Sequence, residues 1–208
     1  GGAEGEGGGT GDATVLLVLD EGDPALVDGV LHVVHEECAD ATRDDPALLD
    51  TWLEHRNDVS ALHHYIEQGA VVDTMEVAAR WSILPAVYDG VLAALRATGD
   101  LAVASAHLSH AYRDGACLYF TFGAFPPKEG REDCYRRLWD AAMTATVARG
   151  AALSHHHGIG LNRGRYVRAA LGAAYDVLAA TKAALDPVGI LNPGKLGLAS
   201  PWGEPAWP

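Results

Sequence analysis

The chain has 208 residues, 49% of them hydrophobic, enough for one domain with a real core and at most an appendage. Fifteen basic against twenty-eight acidic residues leave a formal charge of −13, which repels phosphate backbones and anionic lipid and so argues against nucleic-acid and membrane-surface roles. No apolar run nears the roughly 20 residues of a membrane span and no basic-then-apolar leader opens the chain, so a cytoplasmic protein is the default expectation.

Residues 1–12, GGAEGEGGGTGD, are too rich in glycine to bury a core and read as a flexible linker or loop. They contain no G-x-G-x-x-G match and lead into a strand pattern, not a helix, which excludes a phosphate-cradling loop there. Val15 to Leu19 is a short apolar run suited to a buried strand, and Leu26, Val30, Val33 and Val34 then recur at helical spacing as far as Cys38. The stretch 45–67 is polar, with a helix around Ala47 to Glu54 and an exposed His63-His64 cluster. Ala70 to Val77 reads as a second strand, and Ile83, Val87, Val91 and Leu95 mark a helix that ends near Gly99. Leu101 to Ala111 and Ala116 to Phe125 flank Tyr112-Arg113-Asp114-Gly115, a good hairpin turn. Tyr135, Leu138, Trp139, Ala142 and Met143 lie on a further helix. The order β-α-β-α-β-β-α predicts an α+β fold, a ferredoxin-like antiparallel sheet with helices on one face, followed by a C-terminal helical segment. The division expected is a cap domain over 13–153, a histidine loop, long helix and closing segment over 154–197, and a tail over 198–208.

Cys38, Cys117 and Cys134 are odd in number and lack paired spacing, so they read as reduced, buried small hydrophobes. His107 and His110 form H-x-x-H, but on a strand their side chains fall on opposite faces and cannot easily close on one ion, so no metal site is expected. In the strand 116–125, Leu118, Phe120 and Phe122 point to one face and Cys117, Tyr119, Thr121 and Gly123 to the other. With helices over the Leu-Phe-Phe face, Tyr119 is left to meet a ligand or a second domain. By pattern alone, a half-buried sheet tyrosine is its commoner fate.

Ser154-His155-His156-His157-Gly158-Ile159-Gly160 is the stretch that ordinary packing explains least. Imidazole changes charge near neutral pH, and the glycines permit backbone angles that a side chain would block. On its own the triplet reads either as a site or as an exposed polar loop. A long helical pattern follows, with Tyr166, Val167, Ala170, Leu171, Ala174, Val177, Leu178 and Thr181 on one side, and then Leu185-Asp186-Pro187-Val188-Gly189-Ile190-Leu191-Asn192-Pro193-Gly194-Lys195.

The HHHGIG loop, the arginine after it and the LDPVGILNPGK segment together resemble the C-terminal, or cap, region of FAD-linked oxidases of the vanillyl-alcohol oxidase superfamily. The match is nearest to the alkyldihydroxyacetonephosphate synthases and their bacterial relatives. The stretches Val72 to Val77 followed by Trp81, His107 to Tyr112, and Gly115 to Phe122 agree in order and approximate spacing, so the resemblance spans roughly residues 13–197. It implies an acid/base role for Tyr119 and places His155, His156 and His157 against flavin and substrate, where they would bind an anionic group or move a proton. It likewise implies substrate binding by Tyr112 and Arg163, the latter through a fixed positive charge, and a return of Asn192 and Lys195 toward the cofactor. The implied cofactor is FAD, held mainly by an N-terminal domain for which nothing before Val15 has the pyrophosphate loop. The chain is therefore expected to be the substrate half of a flavoenzyme, inactive alone, with its own flavin domain and a small or lipid-like substrate as partners. Exposed apolar cap positions leave room for self-association, including a homodimer.

Two chemistries fit the intact enzyme: oxidation of a hydroxylated substrate by hydride transfer to flavin, or exchange of acyl for alkyl on dihydroxyacetone phosphate without net redox change. A non-catalytic binding module lacking its flavin domain is the alternative. It is favoured if Tyr119, His155, His156, His157 and Arg163 lie more than about 15 Å apart, beyond one small ligand.

Overall fold

A computed structural model describes residues 15–56 and 60–203. The glycine-rich opening and the last five residues lie outside the described residues. The chain divides into two units, one up to Asp58 and one from Val59.

In the first unit, residues 15–20 take no regular structure and Val15, Leu16 and Leu19 are exposed, which corrects the strand expected there. A short apolar run specifies a strand only if a neighbouring strand takes up its backbone hydrogen bonds. Helix α1 spans Pro24–Glu37, opened by the Asp23 carboxylate accepting from the Ala25 N–H with Pro24 at the first helical position. Helix α2 spans Ala47–His55.

The second unit begins with α3 (Ser60–Glu67), on which His63 pairs with Glu67 and His64 with Gln68. Strand β1 (Val71–Arg80), α4 (Leu84–Ala97), β2 (Leu101–Ser109), β3 (Gly115–Ala124) and α5 (Arg131–Ala148) follow. The sheet is antiparallel in the order β1-β3-β2, as the α+β reading requires. Register runs from Val71 opposite Ala124 to Arg80 opposite Gly115 on one side, and from Leu101 opposite Ala124 to Ser109 opposite Cys117 on the other. Met75, Val77, Leu118, Phe120 and Phe122 bury one face of the sheet. Val87, Val91 and Leu95 of α4 and Leu138, Trp139, Ala142 and Met143 of α5 cover it at helical spacing. Burial of each phenylalanine contributes on the order of 2–3 kcal/mol.

The opposite face carries Thr74, Glu76, Cys117, Tyr119 and His107, because side chains alternate across the pleat and the register sets Glu76 and His107 on either side of Tyr119. Beyond α5 the chain turns back along β1, the Ala152 N–H bonding the Ala78 carbonyl at 2.8 Å, so the edge strand does not present a bare row of backbone groups. Where one long helix is expected, there are two, α6 (Val167–Leu171) and α7 (Ala174–Leu185). The break falls at Gly172, whose φ of 54° and ψ of −129° an L side chain resists. Among the described residues no helix is long and apolar enough to cross a membrane.

Candidate functional site

Tyr119 stands at the centre of the open face. Its hydroxyl donates to Thr74 Oγ1 at 3.2 Å, its ring stacks on His107 at 5.1 Å, and the His157 ring meets it edge-on at 5.3 Å. From His157 the rings continue to His156 at 4.4 Å and to His155 a further 5.2 Å away. His110 packs on both His155 and His156, and Tyr112 touches His155 at 5.4 Å. Tyr112 is held by Trp81, whose indole N–H donates to its carbonyl at 2.9 Å. Five residues expected at the site, Tyr112, Tyr119 and the histidine triplet, are therefore joined ring to ring, within reach of one ligand.

The loop carrying the triplet is shaped by a group that the sequence reading gave no role. Glu76, fully buried, accepts hydrogen bonds from the Ser154 hydroxyl, from the His155 N–H at 2.5 Å and from the His157 N–H at 3.0 Å. Burial by itself would raise its pKa; the bonds from Ser154, His157 and His155, with the nearby Arg163 charge, more than offset that and hold the carboxyl below its usual range. Gly158 and Gly160 at φ of 77° and 58° let the loop leave this anchor and turn away. Two carboxylates, Asp73 and Glu76, inside the strand pattern VVDTMEVAA were the available signal, since buried acids need partners.

Arg163 does not lie open to a ligand. It is 6% exposed, donates to the Gly158 carbonyl at 3.1 Å and the Glu76 carbonyl at 3.4 Å, sits 3.9 Å from the Glu76 carboxylate and lies over the Trp139 ring. The expected fixed positive charge is present, but within the loop's foundation. Asn192 and Lys195 are exposed in a turn where the Lys195 N–H bonds the Asn192 carbonyl at 3.3 Å. Lys182 and Asp186 brace that turn, the Asp186 carboxylate accepting the Ile190 and Leu191 N–H groups. No contact joins Asn192 or Lys195 to the ring cluster among the described residues.

Below the loop, Asp73 on the helix face of β1 accepts the Tyr135 hydroxyl at 2.7 Å and the Trp139 indole N–H at 2.9 Å, while Asn162 donates to the same Tyr135 oxygen. Burial, then the Asp73 bond and charge, pushes the Tyr135 phenol up to about 12. An apolar cavity of about 470 Å³, lined by Ala152, Leu153, Ser154, Ile159 and Leu178 among others, lies against the start of the loop.

Burial, followed by the charge of His110, lowers the His107 pKa, which keeps that ring neutral at pH 7 beside the phenol. His110 is not on the strand as the sequence suggests: β2 ends at Ser109, and His110, with φ of 50°, turns toward the triplet. There His110, Cys117, His155 and His156 bring one donor atom each to within 4.8 Å of one another. Three imidazoles and a thiol are a donor set that a zinc-like ion accepts. The Cys117 thiol, pushed up to about 11 by burial and by the Glu76 charge, is protonated as it stands. His107, the other half of the H-x-x-H, is outside this group.

The sheet of this α+β unit is helix-covered on one side and gathers a tyrosine and imidazoles on the other. The profile of the family described as FAD linked oxidases, C-terminal domain, matches residues 7–196, and the chain belongs to this family. It is 27% identical over 201 residues to the uncharacterized FAD-linked oxidoreductase YgcU of Escherichia coli K12, covering 88% of this chain and 41% of that protein. It is 30% identical over 165 residues to alkyldihydroxyacetonephosphate synthase of Trypanosoma brucei brucei, covering 76% of this chain and 27% of that protein. A solved structure of alkyldihydroxyacetonephosphate synthase aligns at a TM-score of 0.47 and 18% identity, covering 79% of this chain and 27% of the other. The chain thus spans less than half the length of these relatives and corresponds to the C-terminal part of an FAD-linked oxidase.

Proposed function

We propose that the ring cluster on the open sheet face is the substrate site of an FAD-dependent oxidoreductase, with Tyr119 as its acid/base. The observation that carries this reading is the Tyr119 phenol set between the neutral His107 ring and His157, with the triplet continuing outward from it. A flavin fits beside this face: Glu76 is turned into the loop, so imidazole and phenol groups lie outermost, and the remaining FAD contacts belong to the N-terminal partner domain. Bound there, FAD supplies a two-electron acceptor. In such an oxidation Tyr119 would take the substrate hydroxyl proton while its own phenol proton passes to the Thr74 hydroxyl that it already bonds, with the flanking imidazoles as the titratable groups nearest to it. His155, His156 and His157 hold an anionic head group through ring N–H donors, and the apolar cavity beside Ser154 suits an aliphatic portion of the substrate. Asn192 and Lys195, exposed at the closing turn, face the flavin domain.

The relative from Trypanosoma brucei brucei favours a second reading, an exchange of acyl for alkyl on dihydroxyacetone phosphate. One experiment serves both. In the flavin-bearing protein from the whole natural reading frame, a panel of alcohols and hydroxy acids should bleach the flavin absorbance, and Tyr119→Phe should slow bleaching at least about 100-fold without releasing flavin. A loss below about threefold removes Tyr119 from the chemistry. Incorporation of labelled fatty alcohol without bleaching selects the exchange.

A further inference from the structure

Two backbone donors of the histidine loop are already occupied. The N–H groups of His155 and His157, two residues apart, converge on one carboxylate, and the Ser154 hydroxyl closes the same ring of donors. Converging N–H groups of this kind ordinarily form an anion-binding concavity. Here the anion is internal, supplied by a residue fully buried opposite Tyr119 in the strand register. Two consequences follow from the geometry. The His155 and His157 amides are withheld from an external anion, which leaves the imidazole rings of those two residues as their donors to it. The rotation of the loop is also fixed, because alternate amides bound to Glu76 determine that the His157 ring meets Tyr119 and the His155 and His156 rings meet His110. Arg163 neutralises the carboxylate from 3.9 Å while its other amino group bonds the Gly158 carbonyl at 3.1 Å, fastening the far end of the same loop.

We propose that Glu76 is the positioning residue of this site: its carboxylate, backed by Arg163, sets the presentation of His155, His156 and His157 to Tyr119 and to an anionic substrate. The presentation of the rings rests on the loop geometry, whereas the anion they receive rests on the function proposed above.

The test uses the whole 208-residue chain labelled with nitrogen-15. Amide exchange of His155 and His157 and the ring nitrogen signals of the triplet are followed, with inorganic phosphate as the anion probe and His63 and His64 of α3 as internal controls. Protected amides are expected in the parent chain. Glu76→Gln, which presents an amide N–H₂ to the same donors, should speed their exchange about 100-fold or more, shift the His157 ring signals, and weaken phosphate-induced shifts at least about tenfold. His63 and His64 should not move. Glu76→Asp, keeping the charge on a shorter arm, should recover part of the phosphate response. Should Glu76→Gln fail to fold, Ser154→Ala removes one donor only and should speed the two amides by roughly three- to tenfold. Unprotected His155 and His157 amides in the parent chain, or unchanged ring signals in both variants, would overturn the proposal. If the amide and ring signals respond as expected while phosphate leaves the parent rings unmoved, the anion-binding reading fails and the positioning role stands.

Discussion

The Asp73 carboxylate offers a stability test of the ground on which the site rests. One oxygen, Oδ2, takes both the Tyr135 hydroxyl at 2.7 Å and the Trp139 indole N–H at 2.9 Å, so it fastens α5 to β1. Through Asn162, which donates to the Tyr135 oxygen, it also fastens the segment that carries the histidine loop. Hydrogen bonds to a charged partner contribute about 1.5–3 kcal/mol each, and a buried donor left without a partner costs its desolvation besides. Both donors are at least half-buried, so Asp73→Ala should cost about 3–5 kcal/mol. That is a large share of the roughly 5–15 kcal/mol of a typical domain. Asp73→Asn keeps an acceptor but not its charge and should cost about 1–2 kcal/mol. Urea unfolding followed by tryptophan fluorescence gives both values, and an Asp73→Ala/Tyr135→Phe cycle should return a coupling of about 1–2 kcal/mol. A cost for Asp73→Ala below about 1 kcal/mol, with no coupling to Tyr135, would show that this carboxylate does not tie the layers together.

Two further measurements address the backbone break and the histidine beside the phenol. Nothing lies within 4 Å of a Cβ placed on Gly172, so Gly172→Ala isolates the conformational cost of φ 54° and should destabilise by about 1–3 kcal/mol. If it instead raises helicity with no loss of stability, α6 and α7 join without penalty and the break is not required. The lowered His107 pKa disfavours its charged form in the folded chain, so stability is steady above the ordinary histidine value of 6.5 and falls as pH drops through it toward the folded pKa. The unfolding midpoint of the parent should therefore fall, relative to that of His107→Phe, which keeps a ring on Tyr119, from pH 7 to pH 5. A difference that is flat with pH would show that His107 titrates as it does in the unfolded chain.

The sheet was legible because its signals are local. Leu118, Phe120 and Phe122 alternate with Cys117, Tyr119 and Thr121, and the heptad-like spacing of Leu138, Trp139, Ala142 and Met143 leaves α5 one apolar stripe. The same alternation freed the face on which Tyr119 meets the histidines. What escaped depended on contacts distant in sequence or on single backbone angles. Val15 to Leu19 has the composition of a strand but needs a neighbour that composition does not name. The helical spacing from Tyr166 to Thr181 continues through Gly172, and only the backbone angles there show the break. His110 was assigned to a face by strand geometry and left it through one left-handed residue. Arg163 and Glu76 are 87 residues apart, so neither the counter-charge nor its burial could be read from spacing.

The histidine loop, unlike Tyr119, is anchored on an edge strand. A histidine loop needs a foundation that is rigid on one side and accessible on the other. The central strand, β3, gives Tyr119 fixed neighbours on both flanks through its pairing with β1 and β2. At β1 the sheet ends, and carbonyls of Ala78 and Glu76 that no strand takes up accept from Ala152 and Arg163 of the returning chain. That return brings Ser154 to His157 over the buried Glu76 carboxylate, and the loop folds around it. Backbone hydrogen bonds at the sheet edge thus determine where the loop crosses, and the carboxylate determines how it is turned. Tyr119 and the triplet, 36 or more residues apart in sequence, are in register because both are referenced to the same two strands.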